Sequence, residues 1–134
     1  MTDKNNDLIK KWYKTAIADF NAAETLDKHM NPKPLEIIGF HCQQAAEKLL
    51  KGFLASNSIE PPKIHDIQRL CEMCMEINGD FEKMKAVCEE LNPYSVQTRY
   101  PSAIELLETD IERALQSVQT MIEFFEAQGI VIRS

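Results

Sequence analysis

From Phe40 to Leu54 the chain reads Phe-His-Cys-Gln-Gln-Ala-Ala-Glu-Lys-Leu-Leu-Lys-Gly-Phe-Leu. At about 100° per residue, Cys42, Ala45, Ala46, Leu49 and Phe53 share one arc about 100° wide. The run therefore predicts an amphipathic helix with one core-facing side. His41, Gln44 and Lys48 gather at the edge of that arc at spacings of three and four, where side chains share a stripe. Phe40, Leu50 and Leu54 fall outside the arc and give the helix a second, partly apolar face, of the kind that marks an interface.

Four further segments carry the same period. The first runs from about Asp7 to Lys28, with Ile9, Trp12, Tyr13, Ala16, Phe20 and Ala23 on one side, and ends at Asn31-Pro32-Lys33-Pro34, because proline cannot continue a helix. The second holds the run above, from about Pro34 to Ser56. Pro61-Pro62 breaks the chain before a third, which Asp66 caps and Asn78-Gly79 ends. Its apolar arc is Ile67, Leu70, Cys71, Cys74 and Ile77. A short fourth places Phe81, Met84, Val87, Cys88 and Leu91 together and stops before Pro93. Ser102, with Glu105 three residues later, makes a capping-box start for the last helix. That helix aligns Ile104, Leu107, Ile111, Ala114, Leu115, Val118, Ile122 and Phe125, with Gly129 at its end. The tail Ile130-Val131-Ile132 is expected to dock or to pair with another chain. No segment alternates with period two long enough to require a sheet. The expectation is one all-α domain over 1–134, with its core at about 7–127 and a tail at 128–134. Its architecture is an antiparallel up-and-down helical bundle of four longer helices plus one short helix.

Composition changes this picture little but narrows function. Charged residues are 27% of the chain and apolar residues 44%, as in an ordinary globular protein. No apolar run approaches the roughly 20 residues a membrane-spanning helix needs. The polar start Met-Thr-Asp-Lys-Asn-Asn-Asp lacks the apolar stretch of a signal peptide, so a cytoplasmic location is expected, with no membrane partner. A net charge of −6 argues against a general nucleic-acid backbone binder, which is usually basic. Lys10, Lys11, Lys14, Lys48 and Lys51 form a local basic patch or, more simply, are solvated lysines.

Cys42, Cys71, Cys74 and Cys88 are expected to be reduced in that compartment. Cys71-Glu-Met-Cys74 imitates a metal motif, yet both cysteines fall in an apolar arc and only His65 is close enough in sequence to join them. They read as small core residues, and no metal site is expected. Gly39, Gly52, Gly79 and Gly129 are too scattered for a phosphate-cradling loop, and no cofactor is expected.

Several short motifs follow one another in a recognisable order. Trp12, Ala16, Asp19, Phe20 and Ala23 lie in the first helix, and the 40–54 run forms the second. Ile64-His65-Asp66-Ile67 opens the third, and Pro93-Tyr94 with Arg99-Tyr100-Pro101 precedes the last. Together they resemble the HEPN domain family, the nucleotide-binding domain shared by higher eukaryotes and prokaryotes, over residues 8 to about 125. The resemblance implies a dimer and, in many genomes, a separately encoded minimal nucleotidyltransferase as partner, in a toxin–antitoxin or stress-response pair.

Active members of that family cleave RNA with an arginine followed, after four to six residues, by a histidine at the start of the last helix. Arginine stabilises charge developing on phosphorus and histidine moves a proton near neutral pH. Arg99 matches the arginine, but the histidine positions hold Ile104, Glu105 and Leu106. The expected function is thus a binding and interaction module, with nucleotide or RNA as ligand. The alternatives are a divergent ribonuclease that uses Arg99 with a non-standard base, and a purely structural dimeric adaptor.

The candidate ligand-binding residues are His41, Gln44, Lys48, Arg99 and Tyr100. An imidazole, an amide and an ammonium in one stripe suit a phosphate or a carboxylate. Asp19, at the edge of the first helix's apolar arc, is placed to face Lys48, so Lys48 with Asp19 or Glu47 also suits a salt bridge that fixes helix register. Tyr94, Arg99 and Tyr100 suit either base stacking with phosphate contact or packing of the loop on the bundle.

Overall fold

The computed structural model describes residues 3–95 and 105–133. Among the described residues five helices follow in order: α1 (Asp3–His29), α2 (Leu35–Ser56), α3 (Ile67–Ile77), α4 (Lys85–Leu91) and α5 (Glu108–Ala127). A 3₁₀ turn, Gly79–Met84, precedes α4 and another, Asn92–Tyr94, follows it. The described residues contain no strand, and none of their helices is long and apolar enough to cross a membrane. The bundle is all-α, as the periodicity predicts.

The local start and stop chemistry is visible where it was expected for α3. The Asp66 carboxylate accepts the N–H groups of Gln68 and Arg69 at 3.1 and 3.2 Å, satisfying donors that the first turn leaves open. Asn78 closes α3 and starts the next turn, its side chain accepting the Asp80 N–H at 2.9 Å. Ile67, Leu70, Cys71 and Cys74 are buried, while Ile77, at the C-terminal end, stays exposed.

Three sequence expectations need correction. Leu50 and Leu54 do not form an outer face of α2, since both are fully buried. α3 packs on that side, with the Cys74 thiol 3.7 Å from the Leu50 carbonyl, and Phe40 alone of the three stays partly exposed. A helix buried on most of its circumference belongs at the centre of a bundle. α5 does not start near Ser102 with Glu105 as the capping partner. Residues 105–107 are not helical, and the Leu107 N–H is instead accepted by Asp110 at 2.9 Å. Ser102 and Ile104 lie outside the described residues. Lys48 and Lys51 do not belong to a basic patch, since each is paired with a carboxylate on or facing α2. Lys10, Lys11 and Lys14 remain exposed on α1. Ile132 is 7% exposed and Ile130 packs beside the core, so the tail docks on its own bundle.

α1 lies close along α2 because small residues meet there: Ala16, Ala23, Ala45, Ala46 and Gly52. A Cβ at Gly52 would stand 2.6 Å from the Tyr13 ring, which is itself edge-on to Phe125 at 6.2 Å. The ring is itself buried, at 4% exposure. Gly52→Ala is expected to destabilise the protein by about 1–3 kcal/mol through overpacking. Denaturant unfolding checks this, and an unchanged or higher midpoint would show that the α1–α2 contact is looser than described.

Candidate functional site

Asp19 projects from α1 between two α2 residues placed two turns apart. Its Oδ1 lies 2.9 Å from His41 Nδ1, and its Oδ2 pairs with Lys48 Nζ. An ionised carboxylate only accepts, so the proton of this contact sits on His41 Nδ1 and the Nε2 edge is left for another partner. The Asp19 side chain is 13% exposed, against 26% for His41 and 21% for Lys48. The carboxylate thus lies deepest, and the imidazole and ammonium rim it on the solvent side.

Gln44 belongs to a different set of contacts. Its amide donates to Gln43 Oε1 at 2.9 Å rather than to the Asp19 group. Arg99 and Tyr100 lie outside the described residues. Tyr94 packs over Gly39 of α2, where a Cβ would stand 2.8 Å from the ring. Burial, with Asp110 and Glu90 adding to it, pushes its phenol above the ordinary range.

Behind the stripe, α2 carries a buried polar row that sequence analysis did not single out: Gln43, Glu47 and Lys51 at spacings of four. Glu47 is 4% exposed and is engaged on both oxygens. Oε2 accepts from Lys51 Nζ at 3.2 Å, and Oε1 faces His65 Nδ1 at 3.0 Å and Gln43 Nε2 at 3.5 Å. Gln43 Nε2 also donates to the His65 carbonyl at 2.9 Å. Lys51 sits 6.0 Å from the centroid of the Trp12 ring, a cation–π distance. The Trp12 indole N–H is buried and meets no acceptor among the described residues.

The segment Ile64-His65-Asp66-Ile67 thereby gains a structural meaning. His65 ties the α2–α3 connection to Glu47, Asp66 caps α3, and the buried Ile67 donates its N–H to Asn92 at 3.1 Å. The signal for the row was the period of four in Gln43, Glu47 and Lys51. Its partners come from a loop and from α1, which helix periodicity alone does not reveal.

What the α1–α2 cluster can do chemically is hold and orient. It presents an imidazole nitrogen and an ammonium with spare donors around a carboxylate that fixes both. The described residues contain no group of three or more His, Cys, Asp or Glu side chains arranged to hold a metal ion.

No curated protein and no solved structure matches the chain significantly. The family model described as "HEPN domain" matches residues 9–128, which takes in all five helices apart from the first turns of α1, and the chain belongs to the HEPN domain family.

Proposed function

We propose that this HEPN-domain chain is a binding and interaction module, not a nuclease. In this reading it receives a phosphate-bearing ligand, a nucleotide or RNA, at the His41–Lys48 rim. It works as a homodimer with a separately encoded minimal nucleotidyltransferase, in a toxin–antitoxin or stress-response pair. The observation that carries the ligand site is the Asp19 carboxylate, which holds His41 and Lys48 in place while each keeps about a quarter or a fifth of its side chain exposed, 26% and 21%. Such preorganised donors suit a phosphate oxygen. The binding role is supported by the sequence after Arg99, where the three positions open to a catalytic histidine hold Ile104, Glu105 and Leu106. Glu105 itself is exposed and precedes α5.

A specific observation also favours the structural-adaptor reading. Asp19 spends both carboxylate oxygens on α2, which is what a lock between two helices requires. Titration calorimetry with nucleoside mono- and triphosphates separates the two. A bound phosphate should lose about tenfold or more in affinity on Lys48→Ala, the worth of one charge-assisted hydrogen bond. A variant that melts earlier but gives the same heats, or a wild type that gives none, favours the adaptor. In the same preparation, RNA without added metal should be cut no faster than by the Arg99→Ala control. Cleavage that this substitution abolishes would restore the ribonuclease reading. Sedimentation equilibrium at micromolar concentration should return a dimer mass, and a clean monomer would remove the dimer from the proposal. Leu50 and Leu54 no longer support that dimer, which rests on the family resemblance.

A further inference from the structure

The Asp19 carboxylate takes the Nδ1 proton of His41 at 2.9 Å with one oxygen and Lys48 Nζ with the other. That first contact fixes the character of the ring's other nitrogen. In the neutral ring Nε2 holds a lone pair and only accepts, whereas in the imidazolium it holds a proton and donates. Lys48 is different, because an ammonium that gives one donor to Asp19 keeps others whatever the ring does. The rim therefore offers one permanent donor and one nitrogen whose role turns on a single proton.

Among the described residues, Asp19 is the one carboxylate in contact with the ring, and Phe40 lies edge-on to it at 5.8 Å. The next acids along α1 are Glu24 and Asp27, whose field reaches Cys42 beside His41. Lys33 engages Asp27 at 3.2 Å. On the α4–α5 side, near Tyr94, Glu90 and Asp110 are both held by Arg113.

We propose that His41 makes the rim selective for a terminal phosphate, a monoester, over the internal phosphodiester of an RNA strand, through one proton shared between Nε2 and a phosphate oxygen. The selection rests on the phosphate site proposed above and names the class of phosphate it takes. A diester oxygen only accepts, so against the neutral ring two lone pairs face each other and the contact is lost. A terminal phosphate avoids that conflict in either proton state. As a monoanion it has a P–OH that donates to Nε2. As a dianion it draws the proton onto the ring and accepts it back, with a second negative charge that a diester lacks. A phosphate monoester loses its second proton at about 6 and an imidazole ordinarily titrates at about 6.5, so the two compete evenly for one proton. A hydrogen bond of this charge-assisted kind is stronger than a neutral one. Lys48 takes another oxygen of the same phosphate. Above the ordinary range of both groups, binding takes one proton up from solution.

The test uses the adenosine, guanosine, cytidine and uridine 5′-monophosphates, each against its own methyl ester. The ester keeps base, sugar and phosphate and removes only the second ionisation. Titration calorimetry of the full-length chain at about pH 8, above the ordinary imidazole range, reads affinity. Repeating it in two buffers of different ionisation heat reads proton uptake. A monophosphate that binds should do so about tenfold or more tighter than its ester, with net proton uptake. His41→Gln should bring the two within about twofold and abolish the uptake. Equal affinities, binding without proton uptake, or a preference that survives in His41→Gln would overturn the selection and leave the phosphate site standing. Heat from none of the ligands would remove the site itself, and this inference with it. Should His41→Gln not fold by circular dichroism, the ester comparison and the proton count on the wild type decide alone.

Discussion

Glu47→Ala is expected to cost the fold about 3–5 kcal/mol, the usual penalty for breaking a buried ion pair from one side. Lys51 is 6% exposed, and its Nζ pairs with Glu47 Oε2 at 3.2 Å. Without the carboxylate, an ammonium remains in the bundle with the Trp12 ring, 6.0 Å away, as its nearest described compensation. A cation–π contact is worth about 0.5–2 kcal/mol, too little to replace a desolvated counter-charge. The His65 imidazole would also lose its partner on α2, leaving only the Gln43 amide to hold the His65 carbonyl. The double variant Glu47→Leu with Lys51→Met should recover most of the loss, because both charges leave together and apolar volume takes their place. Urea unfolding at one fixed protein concentration measures both variants, since association would make the midpoint depend on concentration. A single variant costing under about 1 kcal/mol, or a double variant no better than the single, would mean that the row is solvated rather than buried.

That row also shows where sequence reasoning stopped. α5 was largely readable because it buries one stripe, although Leu107, placed on that stripe, is exposed and the fully buried Met121 was left off it. Ile111, Ala114, Val118, Ile122 and Phe125 share one arc, and all are 0–1% exposed. α2 was not fully readable because it is packed on several sides. A helical wheel finds the widest apolar arc and assigns the rest to water, so Leu50 and Leu54 read as an outer face. Gln43, Glu47 and Lys51 look solvated for the same reason. Polar side chains are stable in a core only when partners satisfy them, and here the partners are His65, from a loop, and the Trp12 face of α1. Sequence distance hides both. Within the candidate site, the contact of Asp19 with Lys48 lies within reach of helix geometry, because each residue sits at the edge of an apolar arc and the two arcs face each other. His41 completes the group from two turns earlier on the stripe, while Gln44, between them, turns to Gln43. The start of α5 was misplaced because two capping signals lie within a few residues. Ser102 with Glu105 satisfies the sequence pattern, whereas the described helix begins where Asp110 accepts the Leu107 N–H.

The other large effect is expected at Phe81, in the 3₁₀ turn between α3 and α4. Asn78 sets the turn: its side chain accepts the Asp80 N–H and its carbonyl accepts the Phe81 N–H at 3.1 Å, aiming the ring inward. The ring is fully buried, with its centroid 4.4 Å from Phe53, 4.9 Å from Phe124 and 5.5 Å from Phe125. A short connection of this kind would be a weak point if it only linked two helices. Here it joins α2 and α5 through one side chain. Phe81→Ala should therefore cost about 3–5 kcal/mol, combining lost transfer energy with a cavity that three other rings cannot close. Phe81→Leu should cost clearly less, since it refills much of the volume without the edge-to-face contacts. The same substitutions bear on Cys71, because its thiol donates to the Phe81 carbonyl at 3.5 Å. If the turn loosens, Cys71 should alkylate faster in Phe81→Ala than in wild type under native conditions, while Cys42, held in the α1–α2 contact, keeps its rate. A Phe81→Ala loss under about 1 kcal/mol in urea would contradict the packing described for the aromatic cluster.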